Sequence, residues 1–376
     1  MRFTVDRSVL MTGLQRVYAV VPVRSTVPVL TNILLTASDG GLEIMGTDLE
    51  VSVRTLVPLD VEESGALAIP ARLFYEVVRE LPDVPIEFSM TGLELEVKTE
   101  HGRYRFPGLP KEDFPTIHVE TDANGLEIST DILTRMVNKT IFAVSTDPLR
   151  LALTGVLFNF LDDSLELIAT DGHRLVRVRR KNLESGIGPA QAILPTKSLN
   201  ILLRNVDASR SIRLQLSENH MVFRLADTVI YSKLVAAKYP NYDGVIPKEN
   251  EYELVLVKDE LAAAVRRVAV FASTMSKAVR FDLQSKTLKV SAEDVDYGGE
   301  GEEEITVEYD GPPMEVAYNG QYLLDILRHI DTSQAIFKLH DNQTGALVFP
   351  SEQMENEDLM MLIMPIRLTQ GEEGYA

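Results

Sequence analysis

LEIMGTDLE at residues 42–50, LELIATDGH at 165–173 and LKVSAEDVD at 288–296 are one stretch of sequence written three times. In each, apolar and polar residues alternate with the period of a strand, and the alternation stops near Asp48, Asp171 and Asp294, which stand 123 residues apart both times. An aspartate at that place closes a hairpin, because its carboxylate accepts from amides a little further along the chain. A hairpin repeated at so long an interval predicts repeated domains.

Two further markers keep the same ruler. Residues 3–20, 126–144 and 254–271 each open with a short alternating strand that runs into an amphipathic helix. Leu10, Leu14 and Val17 form one stripe of the first helix, and Leu133 and Leu261 take the place of Leu10 in the other two. The second marker joins IPAR at 69–72 to FYEVVREL, LPTK at 194–197 to NILLRNV, and YNGQ at 318–321 to LLDILRHI. Solenoid repeats run to about 20–50 residues, whereas roughly 125 residues form a domain with its own core. The expected fold class is therefore α+β, with three tandem similar domains, each built of two strand-and-helix units. The polar runs TDANG at 121–125 and PKENE at 247–251 give boundaries of 1–122, 123–249 and 250–368, followed by a tail at 369–376.

Composition narrows the function. The 376 residues include no cysteine, which excludes disulfides and fits a reducing, cytoplasmic location. No stretch approaches the roughly 20 apolar residues that span a bilayer, so no membrane partner is expected. Asp171 and His173 invite an acid–base or metal reading, but a metal site wants a third clustered ligand, and the six histidines are scattered. Phosphate-loop and nucleophile-elbow sequences are absent, so no cofactor, metal or catalytic activity is expected. The 56 acids outweigh the 37 bases, yet the six helices carry Arg7, Arg16, Arg72, Arg79, Arg135, Lys139, Lys197, Arg204, Arg266, Arg267 and Arg328 in and around them. Mildly basic helices in an acidic protein suit a weak, sequence-blind field for phosphates.

Taken together, MRFTVDRSVLMTGLQRV at 1–17, PVLTN at 28–32, GTDLEVSV at 46–53, IPARLFYEVVREL at 69–81, ATDGHRL at 169–175, SKLV at 232–235 with YPNY after it, and MPIRL at 364–368 resemble the bacterial DNA sliding clamp, the beta subunit of DNA polymerase III. The resemblance covers nearly the whole chain. It implies a head-to-tail homodimeric ring around double-stranded DNA, with the two helices of each domain facing inward to line the hole and antiparallel sheets outside, a clamp loader to open it, and tethering of the polymerase III catalytic subunit and other proteins that carry a clamp-binding peptide. It implies a peptide pocket lined by Leu153, Leu175, Val245 and Met364 and shaped by Thr170, Gly172, His173, Arg174, Pro240, Pro365, Ile366 and Arg367. DNA contacts would come from Arg24, Arg72, Arg79, Arg150, Lys197 and Arg204. The subunit interface would set Arg103, Arg105 and Phe106 against Val270, Phe271, Glu300, Glu302, Glu303 and Glu304. This chain has Gly244 and Leu73 where the family often carries an arginine and a lysine, and its tail, with Glu372, Glu373 and Tyr375, extends past the usual end.

Overall fold

The computed structural model describes residues 1–115, 124–184, 186–206, 210–294 and 298–367. The first expected boundary, Leu368 and the tail with Glu372, Glu373 and Tyr375 lie outside the described residues. Six helices follow the predicted order: α1 (Arg7–Tyr18), α2 (Ala71–Glu80), α3 (Thr130–Thr140), α4 (Thr196–Asn205), α5 (Lys258–Val268) and α6 (Gly320–Arg328). Each begins where a strand ends, and the repeat-equivalent Leu10, Leu133 and Leu261 are all fully buried. Among the described residues, no helix is long and apolar enough to cross a membrane.

Two compact units form: Met1–Arg135 with Glu184–Ala236, and Met136–Leu183 with Ala237–Ala376. They do not follow the repeats, because sheets run across repeat boundaries. In the first unit, the Val51–Val57 strand of repeat one pairs with the Thr228–Lys233 strand of repeat two, in register from Thr55 opposite Thr228 to Val51 opposite Ser232. In the second unit, the Arg174–Lys181 strand of repeat two pairs with the Glu357–Ile363 strand of repeat three, from Arg174 opposite Ile363 to Arg180 opposite Glu357. Antiparallel hydrogen bonding and the apolar faces beneath it make each seam as continuous as a domain interior.

The first unit also holds a five-stranded sheet in the order Val61–Glu63, Arg2–Asp6, Pro85–Thr91, Glu94–Lys98, Arg103–Pro107. Its inner face is aromatic: Phe3 stacks on Phe88 with centroids 4.8 Å apart, and Phe74 of α2 meets Phe88 and Phe106 edge-on at 6.2 and 5.3 Å. The second unit holds a four-stranded sheet in the order Gly299–Thr306, Thr287–Asp294, Ala278–Leu283, Met314–Asn319.

The aspartate turns behave as their spacing predicts. Asp48 Oδ1 accepts from the amides of Glu50 and Val51 at 2.9 and 2.7 Å, and Asp171 Oδ1 from those of His173 and Arg174 at 2.9 and 3.0 Å. Between them the chain turns through positive φ, at Leu49 (75°) in one copy and Gly172 (93°) in the other. The hydroxyls of Thr47 and Thr170 accept from these two amides at 3.0 and 3.1 Å, which holds the left-handed residue in place. In the third copy the Asp294 carbonyl accepts from the Gly298 amide at 2.8 Å, closing a longer hairpin.

Candidate functional site

The residues expected to form a groove all belong to the second unit. Among them is the turn from Thr170 to Leu175, to which the segment after the Glu357–Ile363 strand is tied by the Met364 amide donating to the His173 carbonyl at 2.8 Å. One residue pair further, the Ile366 amide donates to Ala317 at 2.7 Å, which aligns Pro365, Ile366 and Arg367 along the Met314–Asn319 strand. The opposite support is the 239–245 segment. The Tyr242 hydroxyl donates to the buried Glu166 carboxylate at 3.2 Å, and Asn159 Nδ2 donates to the same oxygen at 2.8 Å. Burial, reinforced by the Glu166 charge, pushes the Tyr242 phenol above its ordinary value, so it stays a donor. This anchoring presents Val245, 57% exposed, on a single 3-10 turn beside Gly244, with Pro240 also exposed. Leu153, half-buried, is joined through its amide to the Arg150 carbonyl at 2.8 Å.

Three expected groove residues work from inside instead. Leu175 is buried beneath the surface, and the Thr170 hydroxyl is occupied within the turn, donating to the Arg174 carbonyl at 2.6 Å. Arg174 is buried with every edge of its guanidinium engaged: Nε with Asp171 at 3.1 Å, Nη1 with Asp325 at 2.7 Å and Nη2 with the Phe142 carbonyl at 2.8 Å. Its Cζ lies 4.4 Å from the Tyr322 ring centre and 5.2 Å from that of Phe142. Arg174 therefore holds the Thr170–Leu175 turn from inside and is not a rim residue. His173, exposed, faces Tyr322 at 6.2 Å, so Tyr322 joins the site although sequence reading left it out.

The cations chosen for DNA are mostly paired. Arg72 meets Glu76 at 2.8 Å, Arg79 meets Glu80 at 3.0 Å, and Lys197 meets Asp48. Arg24 and Arg204 are exposed without an ion pair among the described residues. Arg150, with its side chain half exposed, pairs with Asp147 at 3.4 Å and donates through Nη1 to the Asp171 carbonyl at 3.1 Å. Arg79, Arg204 and Arg328 recur at one repeat position, and Arg328 is exposed on the last turn of α6.

Among the sheet-edge strands of the described residues, the seams single out two. The seams already described join the strand after one repeat's aspartate turn to the last strand of the next repeat. By the same rule, Gly299–Thr306 of repeat three lacks a following strand and Arg103–Pro107 of repeat one lacks a preceding one. Glu300, Glu302 and Glu304 are exposed on the first of these edges, next to Val270, 79% exposed, and Phe271. A Cβ at position 301 would lie 2.5 Å from the Phe271 ring, so glycine there lets the ring lie over the strand. Two interface expectations need correction. Glu303 turns to its own subunit's Arg267, which donates through Nε and Nη2 at 2.5 and 2.6 Å. Phe106 points into the aromatic core, 2% exposed, because strand alternation puts it opposite the arginines' face. Arg103 and Arg105 are exposed but already gather on Glu96.

Sequence models for three consecutive domains of the DNA polymerase III beta subunit match this chain, the N-terminal domain over residues 1–118, the central domain over 127–241 and the C-terminal domain over 243–367. The chain belongs to the DNA polymerase III beta subunit family. It is 33% identical to the beta sliding clamp of Pseudomonas aeruginosa and 31% identical to that of Caulobacter vibrioides, over 98% of this chain and 100% of each relative. A crystal structure of the Pseudomonas aeruginosa sliding clamp bound to griselimycin matches with a TM-score of 0.93 at 33% identity, covering 98% of this chain and 100% of that one. The beta subunit of Thermotoga maritima matches with a TM-score of 0.89 at 26% identity, over 98% and 100%.

In this member of the clamp family the arginine edge has an acid-sensitive centre. Arg103, then Lys98 and Arg105, hold the Glu96 carboxyl at about 2 against an ordinary 4.5. A depressed carboxylate adds stability above its unfolded value and loses it as pH falls through the folded one, so the contribution disappears between pH 4.5 and about 2. Glu96→Gln is expected to flatten that part of a stability-against-pH curve measured by urea unfolding. An unchanged acid limb would contradict the assignment.

Proposed function

We propose that this sliding clamp closes as a head-to-tail homodimer around duplex DNA, with domains at 1–122, 123–249 and 250–368. The carrying observation is the pair of open edges. Two seams within the chain already join successive repeats by one rule, and the two strands left over are the complementary halves of a third. A second copy supplies each missing half, giving a closed cyclic assembly. Arg103 and Arg105 on one edge and Glu300, Glu302 and Glu304 on the other add charge complementarity.

Membership of the family makes the chain a non-catalytic processivity subunit of DNA polymerase III. Arg24, Arg72, Arg79, Lys197, Arg204 and Arg328 supply a weak phosphate field. The pairing of Arg72, Arg79, Lys197 and Arg328 with acids suits a ring that must slide, since each unpaired cation deepens the hold on the backbone. The groove of Leu153, His173, Tyr322, Pro240, Val245, Met364 and Pro365 takes short apolar peptides of the polymerase catalytic subunit, the clamp loader and other DNA-processing proteins in the cytoplasm.

The test loads the protein onto nicked circular DNA with a clamp loader and then linearises the circle. A dimer that stays on circles and leaves linear ends is expected. A monomer, or retention indifferent to DNA ends, would overturn the reading in favour of a protein-binding scaffold.

A further inference from the structure

Tyr18, the last residue of α1, and Tyr75 of α2 stack with ring centres 4.2 Å apart and planes inclined by 12°. Both rings are half-buried, neither hydroxyl has a hydrogen-bond partner among the described residues, and neither is among the buried unpartnered atoms. Along α2, Arg72, Tyr75 and Arg79 are spaced by three and four residues and share one helical stripe. Arg72 lies within electrostatic reach of Tyr18.

The fold does not require this pair. The repeat equivalents of Tyr18 are Ile141 and Ala269, and those of Tyr75 are Asn200 and Leu324, so the other two repeats build the same helices without an aromatic stack. Glu76 and Glu80 pair with the flanking arginines, which leaves the two neutral hydroxyls as the free donors of the stripe. One face of each ring is taken by its partner and both rings are half-buried, so the polar hydroxyl edges are what the pair offers a ligand.

We propose that the Tyr18 and Tyr75 hydroxyls donate hydrogen bonds to backbone phosphates of duplex DNA, flanked by Arg72 and Arg79. The proposal rests on the DNA-encircling reading above. Neutral donors suit a sliding surface, since they register the backbone without displacing counterions. They extend the contact set from charges alone to charges and phenols, confined to the first repeat.

The discriminating variant is the double substitution Tyr18→Phe with Tyr75→Phe, which keeps the stack and removes only the hydroxyls. Fluorescence anisotropy of a short labelled duplex, titrated at several salt concentrations, reads the result. Binding is expected to weaken by about threefold to tenfold, with the slope of log affinity against log salt unchanged, whereas Arg72→Gln lowers that slope. Undiminished affinity in the double variant would overturn the proposal, as would a loss accompanied by a lower slope, which would trace the effect to displaced arginines. Retention of the wild-type ring on closed circles is measured alongside. Its failure would overturn the encircling reading itself, and its success with undiminished variant affinity would overturn only the tyrosine contact.

Discussion

Replacing Arg174 by alanine is expected to lower the unfolding free energy by about 3–5 kcal/mol and to weaken partner-peptide binding at least about tenfold. The size follows from what the guanidinium leaves behind. Asp171 and Asp325 are only 12% and 18% exposed in their side chains, and without Arg174 both carboxylates lose their nearest cation in a site that water reaches poorly. The Phe142 carbonyl loses its donor as well, and Tyr322 and Phe142 lose the guanidinium packed against their rings. Lysine does not restore the arrangement, because a point charge on a flexible stem cannot bond three acceptors lying around one plane. Arg174→Lys should therefore recover only part of the loss. Urea unfolding with a labelled-peptide titration measures both effects. A variant within about 1 kcal/mol of the parent would show that the buried network is not what holds the groove turn.

How much of this could be read in advance depends on the distance over which each feature is determined. The equivalence of Leu10, Leu133 and Leu261 was legible because helical periodicity is local and repeated. The Asp48 and Asp171 turns were legible for the same reason, since a carboxylate two residues from the amide that donates to it needs no tertiary context. Arg174 was read as a rim residue because nothing near it in the chain announces burial, and its partner Asp325 lies 151 positions away. Tyr322 escaped for the same reason. Glu303 is a different case. Alternation along Gly299–Thr306 sets it on the face opposite Glu302 and Glu304, so a stricter use of strand periodicity would have separated it from the acidic row. Phe106 alternates with Arg105 in the same way, but which face is interior is decided by where Phe74 of α2 packs. The reduced availability of the cations was also hidden, because Lys197 and Asp48 meet only once two repeats share a sheet.

The open edges carry the other large expected effect, and their ladders say where to place the substitution. The Val307 amide donates to the Lys286 carbonyl at 3.0 Å, so in the strand before it the odd-numbered amides turn towards Thr287–Asp294 and the even-numbered ones turn outwards. On the complementary edge, the Thr99 and Gly108 amides donate to the Gly102 and Leu93 carbonyls, which leaves the amides of Arg103 and Arg105 facing outwards. Pro107 falls on that same outward set, where its missing N–H costs its own sheet nothing. Glu302→Pro removes one outward donor and sets a ring where a partner strand's backbone must approach, without touching the subunit's own ladder. We expect it to weaken dimerisation by about 3 kcal/mol or more, roughly a hundredfold or greater, with little change in subunit stability. Glu303→Pro, one residue further, should instead break an internal bond and destabilise the subunit. Glu302→Gln keeps the amide, and because its pairing with Lys289 is solvent-exposed it should change dimerisation only slightly. Sedimentation equilibrium and urea unfolding on the three variants separate these effects. A Glu302→Pro protein that dimerises as tightly as the parent would mean that subunits do not join through these strands, because no antiparallel pairing along this edge leaves the residue 302 amide without a partner carbonyl.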